Sequence, residues 1–198
     1  LLRSSGTTGK PKGIVLQHRR VIAAVRNAAG VGYFRPGDEL MAYLPIAWVG
    51  DFVFTLSAGI TLRFRINLPE RQDTVVANLR EVAPTVYFAS PRSWDAMLTH
   101  IQVGMAESTP LKRALFNYFM PLAIRIERDR LEGRRPSPGA RFMRALGEIL
   151  IYGPLRDHLG LSRAQRPFTA GEAIGEDTFV FFRALGLDLT QYYGQTEN

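Results

Sequence analysis

Short strand-like runs and helical runs take turns along this chain, and that alternation limits its fold more than any other feature. Residues 39–44, 61–65, 85–89, 166–170 and 187–193 are β-branched, aromatic or alternating in character, as strands require. Helical stretches lie between them, at 18–29, 48–58 and 175–185. Another helix is capped by Asp73 and ended by Pro84, and the next opens at Pro91. A long helical region follows over 110–159, interrupted at Pro121 and by the Gly- and Pro-rich stretch 133–139. Such an order implies an α/β chain, a mostly parallel sheet flanked by helices. With 198 residues and 46% hydrophobic content the chain has enough apolar surface for a core.

Several function classes drop out on composition and spacing. The chain has no cysteine, which removes disulfides, thiolate metal sites and a cysteine nucleophile from this segment. No apolar run reaches the roughly 20 residues that span a bilayer. His18, His100 and His158 are too far apart in sequence to read as a metal-ligand set. There is no Gly-x-Ser-x-Gly elbow, and Gly30-Val31-Gly32 meets Arg35 where a dinucleotide fingerprint needs glycine. The net charge is +7, and residues 111–144 hold nine Lys/Arg against three Asp/Glu, a net +6. The rest of the chain is close to neutral, so a nucleic-acid binder is not indicated.

The stretch Ser-Ser-Gly-Thr-Thr-Gly-Lys-Pro-Lys-Gly at 4–13 carries the functional signal. Gly, Ser and Thr let successive backbone N–H groups turn into one concavity, hydroxyls add donors, and Lys10 and Lys12 add positive charge. That suits a polyphosphate. By composition alone a solvated linker fits too. A Walker A reading fails, because Ser4 stands where its first glycine belongs and Pro11 follows Lys10.

This stretch, with His18 soon after it, resembles the phosphate-loop signature of the adenylate-forming superfamily. The superfamily includes acyl-CoA synthetases, luciferases and peptide-synthetase adenylation domains. The run Gln-Tyr-Tyr-Gly-Gln-Thr-Glu at 191–197 is similar to its Tyr-Gly-x-Thr-Glu motif, and Thr-Ala-Gly-Glu-Ala-Ile-Gly at 169–175 to the segment that lies along the adenine. The resemblance implies a reaction in which a carboxylate attacks the α-phosphorus of ATP, giving an acyl-adenylate and pyrophosphate, before a thiol such as that of CoA takes the acyl group. It implies phosphate binding by Ser4, Ser5, Gly6, Thr7, Thr8, Gly9 and Lys12, and nucleotide binding by Gly171, Glu172, Ala173, Gln191, Tyr192, Tyr193, Gly194 and Thr196. Thr196, Glu197 and Lys12 would be catalytic, and Glu197 with Ser4 would hold Mg²⁺, a hard cation that prefers oxygen ligands.

Many members of that superfamily have a histidine where this chain has Trp48, and an aromatic residue there resembles the subgroup that activates long-chain fatty acids. Trp48, Val49, Phe52 and Phe54 would give the acyl chain an apolar wall, and some of them would also serve as core. At about 0.8 kcal/mol per buried methylene, roughly fifteen methylenes release at most about 12 kcal/mol, enough to draw a fatty acid from a membrane. The basic segment 111–144 is expected either to lie against an anionic membrane or to pack Leu111, Leu115, Phe119, Leu122 and Ile126 on the core with a solvated basic face. A cytoplasmic location is expected, peripheral to the membrane if the basic segment meets a bilayer, with fatty acid, ATP and CoA as small-molecule substrates. The leading expectation is an internal piece of the N-terminal domain of a long-chain fatty-acid–CoA ligase. Its C-terminal domain, catalytic lysine and ribose-binding aspartate would lie beyond residue 198, leaving this piece inactive alone. Alternatives are a ligase for another carboxylic acid and a nucleotide- or lipid-binding module without catalysis.

Overall fold

The computed structural model describes residues 2–3 and 13–194. Strand β1 (Leu2–Arg3) pairs antiparallel with β2 (Gly13–Ile14). Helix α1 (His18–Gly30) follows, then β3 (Glu39–Met41). A continuous helix over 49–62 comes next, made of α2 (Val49–Asp51), a π-helical stretch (Phe52–Ser57) and α3 (Ala58–Leu62). After β4 (Arg65–Asn67), a 3₁₀ turn (Gln72–Thr74) leads into α4 (Val75–Val82), β5 (Val86–Ala89) and α5 (Pro91–Ala106). Helix α6 (Pro110–Leu131) turns back into α7 (Pro138–Gly147), a π-helical stretch (Glu148–Tyr152) and α8 (Gly153–His158). Strand β6 (Arg166–Thr169), α9 (Glu176–Ala184) and β7 (Thr190–Gln191) complete the described chain.

Five strands form one parallel sheet in the order β4-β3-β5-β6-β7. Both faces are buried, as parallel sheets require, and the two-residue period of β5 assigns its side chains. Val86 and Phe88 join Val25, Phe34, Leu40, Phe54 and Phe168 on the face covered by α1 and helix 49–62. Tyr87 and Ala89 join Trp94, Tyr152, Phe182 and Leu185 on the face covered by α5, α6, α8 and α9. The expected α/β fold is therefore present. Pro91 at the first position of α5, with Ser90 accepting a hydrogen bond from Ser93 N–H, is a helix start that the sequence announces.

Four expectations need correction. The alternating Thr61–Arg65 run is not a strand up to residue 64: helix continues to Leu62, Arg63 reverses the chain at φ 58°, and β4 begins at Arg65. Pro121 does not interrupt α6. The proline is exposed, while Phe119, Met120, Ala123 and Ile126 around it are buried, and their packing outweighs the lost backbone bond. Asp73 is no helix cap; it lies inside the 3₁₀ turn, with its carboxylate accepting from Arg71. The strands expected over 39–44 and 187–193 pair only over 39–41 and 190–191.

A buried polar tie fixes α9 to α6, beside the exposed Arg128–Asp177 pair. Glu127, 2% exposed, accepts from Arg183 Nε at 2.9 Å, and Arg183 also donates to the Leu189 carbonyl. The more exposed Arg130 reaches the same carboxylate at 3.7 Å, so removing Arg183 takes away the charged hydrogen bond and leaves a weaker partner. Arg183→Met is expected to lower unfolding free energy by about 1.5–3 kcal/mol, read as a fall in the urea midpoint with unchanged slope.

Candidate functional site

The order of crossovers defines where a ligand belongs. From β3 the chain crosses over the face of helix 49–62 to β4 on one side, then over the α4 face to β5 on the other. Neighbouring strands whose crossovers leave toward opposite faces open a crevice beyond their carboxyl ends. The segments that leave those ends carry residues 42–48 after β3, Ser90 after β5, Ala170–Ala173 after β6 and Tyr192–Gly194 after β7.

Trp48 lies flat on Phe88, with ring centroids 5.2 Å apart and planes 2° from parallel. Phe54 stacks on Phe88 at 4.1 Å. Gly50 makes this possible, because a Cβ there would sit 2.6 Å from the Phe88 ring. Gly171 comes in beside the tryptophan with φ +103°, and a Cβ on it would lie 3.5 Å from Trp48 Cζ2. An expected acyl-wall residue and an expected adenine-segment residue therefore adjoin.

Tyr192 extends the aromatic group. Its ring meets Phe168 at 4.8 Å, Tyr33 at 5.0 Å and Phe54 at 5.9 Å, and its N–H donates to the Thr169 carbonyl. Burial, then Tyr33, pushes the Tyr192 hydroxyl far above the ordinary tyrosine range. The Tyr192 hydroxyl and the Thr169 hydroxyl are buried without a hydrogen-bond partner among the described residues; a bound polar molecule or water would complete them. Gln191 accepts from Ile174 N–H and so holds the 172–175 turn against β7. Glu172 pairs with Arg92 at 3.4 Å, both side chains well exposed. Ala173, Tyr193 and Gly194 are exposed. Val49 and Phe52 are half-buried beside Trp48, whereas Phe54 is core. The phosphate-loop residues Ser4, Ser5, Gly6, Thr7, Thr8, Gly9 and Lys12, together with Thr196 and Glu197, lie outside the described residues. Strands β1 and β2 pair the two ends of the phosphate stretch, Arg3 opposite Gly13. Among the described residues no group of three or more His, Asp or Glu side chains is placed to hold a metal ion.

Sequence reading missed a polar group next to this wall. Asp51 is 5% exposed and has no cation partner among the described residues; its one hydrogen bond is from Thr55 Oγ1 at 2.8 Å. Tyr43 donates to the Phe88 carbonyl at 3.0 Å and touches the Tyr87 hydroxyl. Burial, then Tyr87 and Asp51, raises the Tyr43 hydroxyl. A lone carboxylate inside Trp-Val-Gly-Asp-Phe-Val-Phe was the available signal.

The AMP-binding enzyme family matches residues 1–198, and this chain belongs to it. It is 26% identical over its whole length to the long-chain-fatty-acid–CoA ligase ACSBG2 of Rattus norvegicus, of which it covers 30%. It is 26% identical, again over its whole length, to a putative fatty-acid–CoA ligase, fadD11, of Mycobacterium tuberculosis, covering 35% of it. The chain thus spans about a third of the length of these curated relatives. In fold it is similar to the N-terminal domain of FACL13 from Mycobacterium tuberculosis, with a TM-score of 0.59 at 19% identity, covering 99% of this chain and 36% of that one. It is also similar to the A-PCP didomain of carboxylic acid reductase from Segniliparus rugosus in complex with AMP, with a TM-score of 0.62 at 19% identity, covering 98% of this chain and 23% of that one.

Desolvation raises the Asp51 carboxyl above its usual 3.8, partly offset by the Thr55 hydrogen bond. A carboxyl whose folded value is raised costs stability above that value, and the cost disappears as pH falls through the unfolded value. Asp51→Asn, which keeps an acceptor for Thr55, is expected to stabilise the fold at about pH 7 and to lose that advantage near pH 4. Urea titrations of both proteins at the two pH values measure it.

Proposed function

We propose that this chain is part of the nucleotide-binding N-terminal domain of an AMP-forming ligase that activates a long-chain fatty acid with ATP and passes the acyl group to CoA. The observation that carries this reading is the approach of Gly171 to Trp48 at the carboxyl edge of the sheet. It supports one crevice in which the adenine segment and the acyl wall share a boundary, as an acyl-adenylate requires. Relatives named as fatty-acid–CoA ligases support the same substrate class.

In the first step a carboxylate oxygen bonds to the α-phosphorus and the bond to the bridging pyrophosphate oxygen breaks. In the second, the deprotonated thiol attacks the acyl carbonyl and AMP leaves. The first step brings two anions together, so charge must be cancelled beforehand. Ser4, Ser5, Gly6, Thr7, Thr8, Gly9 and Lys12 take the β- and γ-phosphates, and Thr196 donates to the α-phosphate. Glu197 with Ser4 would supply oxygen ligands for Mg²⁺, which would neutralise phosphate charge. Gly171, Glu172, Ala173 and Tyr193 frame the base; Gln191 and Tyr192 shape the frame from β7. Trp48, Val49 and Phe52 line the acyl path.

In fatty-acid-dependent ATP–pyrophosphate exchange, the intact protein is expected to respond to long-chain acids. Lys12→Met or Glu197→Gln is expected to slow exchange by roughly 10²-fold or more. Exchange only with short or aryl acids would remove the long-chain assignment, and none with any acid would remove the ligase.

A membrane-peripheral position belongs to the same reading. Among the described residues no helix is long and apolar enough to cross a membrane. Phe119 and Ile126 of α6 face the core, so the face carrying them is not the membrane face. Lys112, Arg113, Arg125 and Arg141 are exposed, and the exposed Tyr118, Phe142 and Ile149 on the same helical hairpin add apolar contact. Basic residues beside exposed apolar ones suit an anionic bilayer surface. Reversing Arg113, Arg125 and Arg141 to Glu is expected to abolish co-sedimentation with anionic liposomes while leaving exchange on dispersed substrate intact; unchanged co-sedimentation would reject the membrane contact.

A further inference from the structure

A second concavity lies at the opposite end of the sheet. Helix α5 starts at the carboxyl end of β5, and its residue 104 lies about 20 Å further along the helix axis. Helix α4 runs down toward the start of β5 and α8 toward the start of β6. Helices α5 and α8, the π-helical stretch before α8 and the first turn of α6 line a cavity of about 440 Å³, within the range of about 300–1,000 Å³ typical of small-molecule sites. Ile101, Met105, Leu150, Ile151 and Leu155 form its apolar lining, and His100, Lys112 and His158 bring nitrogen to it.

The charge in this corner is unbalanced. Arg80 Nη2 sits 3.0 Å from His158 Nε2, and Arg80 Nε donates to the His158 carbonyl. A guanidinium can only donate, so Nε2 accepts, the ring is neutral and its proton is on Nδ1. Arg80, His100 and Lys112 have no ion-pair partner among the described residues, and Asp157 is the single carboxylate in the lining. Burial first, then Arg80, His100 and Lys112, lowers the His158 pKa, with Asp157 opposing. Burial penalises charge of either sign, but the positive field of Arg80 and Lys112 beside His158 favours an anion.

We propose that this cavity binds an amphiphilic carboxylate, with its head between Lys112 and His100 beside His158 and its alkyl body against Ile101, Met105 and Leu150. The site lies away from the crevice at Trp48 and Gly171, and does not rest on the ligase reading. Occupancy would couple α5, α6 and α8, which also carry core contacts of the sheet.

Histidine-selected ¹H–¹⁵N NMR of the full chain, titrated with decanoate, tests it, with His100→Gln and His158→Gln assigning the two signals. Both signals are expected to shift saturably, and Lys112→Met, an exposed change, is expected to weaken the apparent affinity about tenfold. Decanol, which keeps the chain and loses the charge, is expected to bind at least about tenfold more weakly. Unmoved signals, equal binding of decanol, unchanged affinity in Lys112→Met, or equal shifts with inorganic phosphate alone would each overturn the proposal. Loss of exchange activity with these shifts intact would count against the ligase reading and leave this site standing.

Discussion

The stacking of Trp48 and Phe54 on Phe88 is the contact on which the arrangement of the site depends. Phe88 belongs to a strand with neighbours on both sides, in register with Phe168, so its ring cannot shift without disturbing the sheet. Helix 49–62 must therefore settle on that ring, and it can do so because position 50 has no side chain to collide with it. Aromatic pairs of this kind contribute about 0.5–1.5 kcal/mol beyond burial. Their larger effect is geometric, since they place Trp48 over the carboxyl end of the sheet, where Gly171 arrives from β6.

The two ends of the sheet are held by different chemistry. At the amino end, Asp38 accepts from Arg35 N–H, the Thr85 hydroxyl and Arg166, while Glu39 pairs with Arg163 and Arg65. These groups tie the starts of β3, β5 and β6 together, and such buried pairs specify register more than they add net stability. At the carboxyl end the joints are aromatic, and the nearby polar atoms of Asp51, Thr169 and Tyr192 are only partly satisfied. At the amino end Arg166 Nε is the one buried side-chain polar atom without a partner among the described residues; the unsatisfied hydroxyls at the carboxyl end sit where a ligand can meet them.

Much of this was legible in the sequence for local reasons. The strand at 85–89 showed its β-branched and aromatic composition, Pro91 marked a helix start, and Glu176 and Asp177 sat in the first turn of α9 where the helix dipole favours them. Elements failed to read where tertiary packing overrides local signals. Thr61–Arg65 alternates like a strand, yet its first two residues finish a helix that packs on α1 and the sheet. Pro121 should break a helix, yet the buried residues around it hold α6 straight through. Leu111 shares a helical stripe with Phe119 and Ile126, yet lies beyond the neighbours that bury them and stays exposed. The nearness of Trp48 to Gly171 depends on the strand order, which no local pattern encodes. Asp51 was overlooked because a single carboxylate in an apolar run carries no motif.

Under the proposed function, the carboxyl edge of the sheet is where nucleotide and acid meet. A crystal structure of the intact protein with a long-chain acyl-adenylate analogue tests that most directly. Adenine is expected beside Gly171 and Tyr193, with the alkyl chain running past Trp48. An analogue seated anywhere else, with Trp48 and Gly171 untouched, would contradict it.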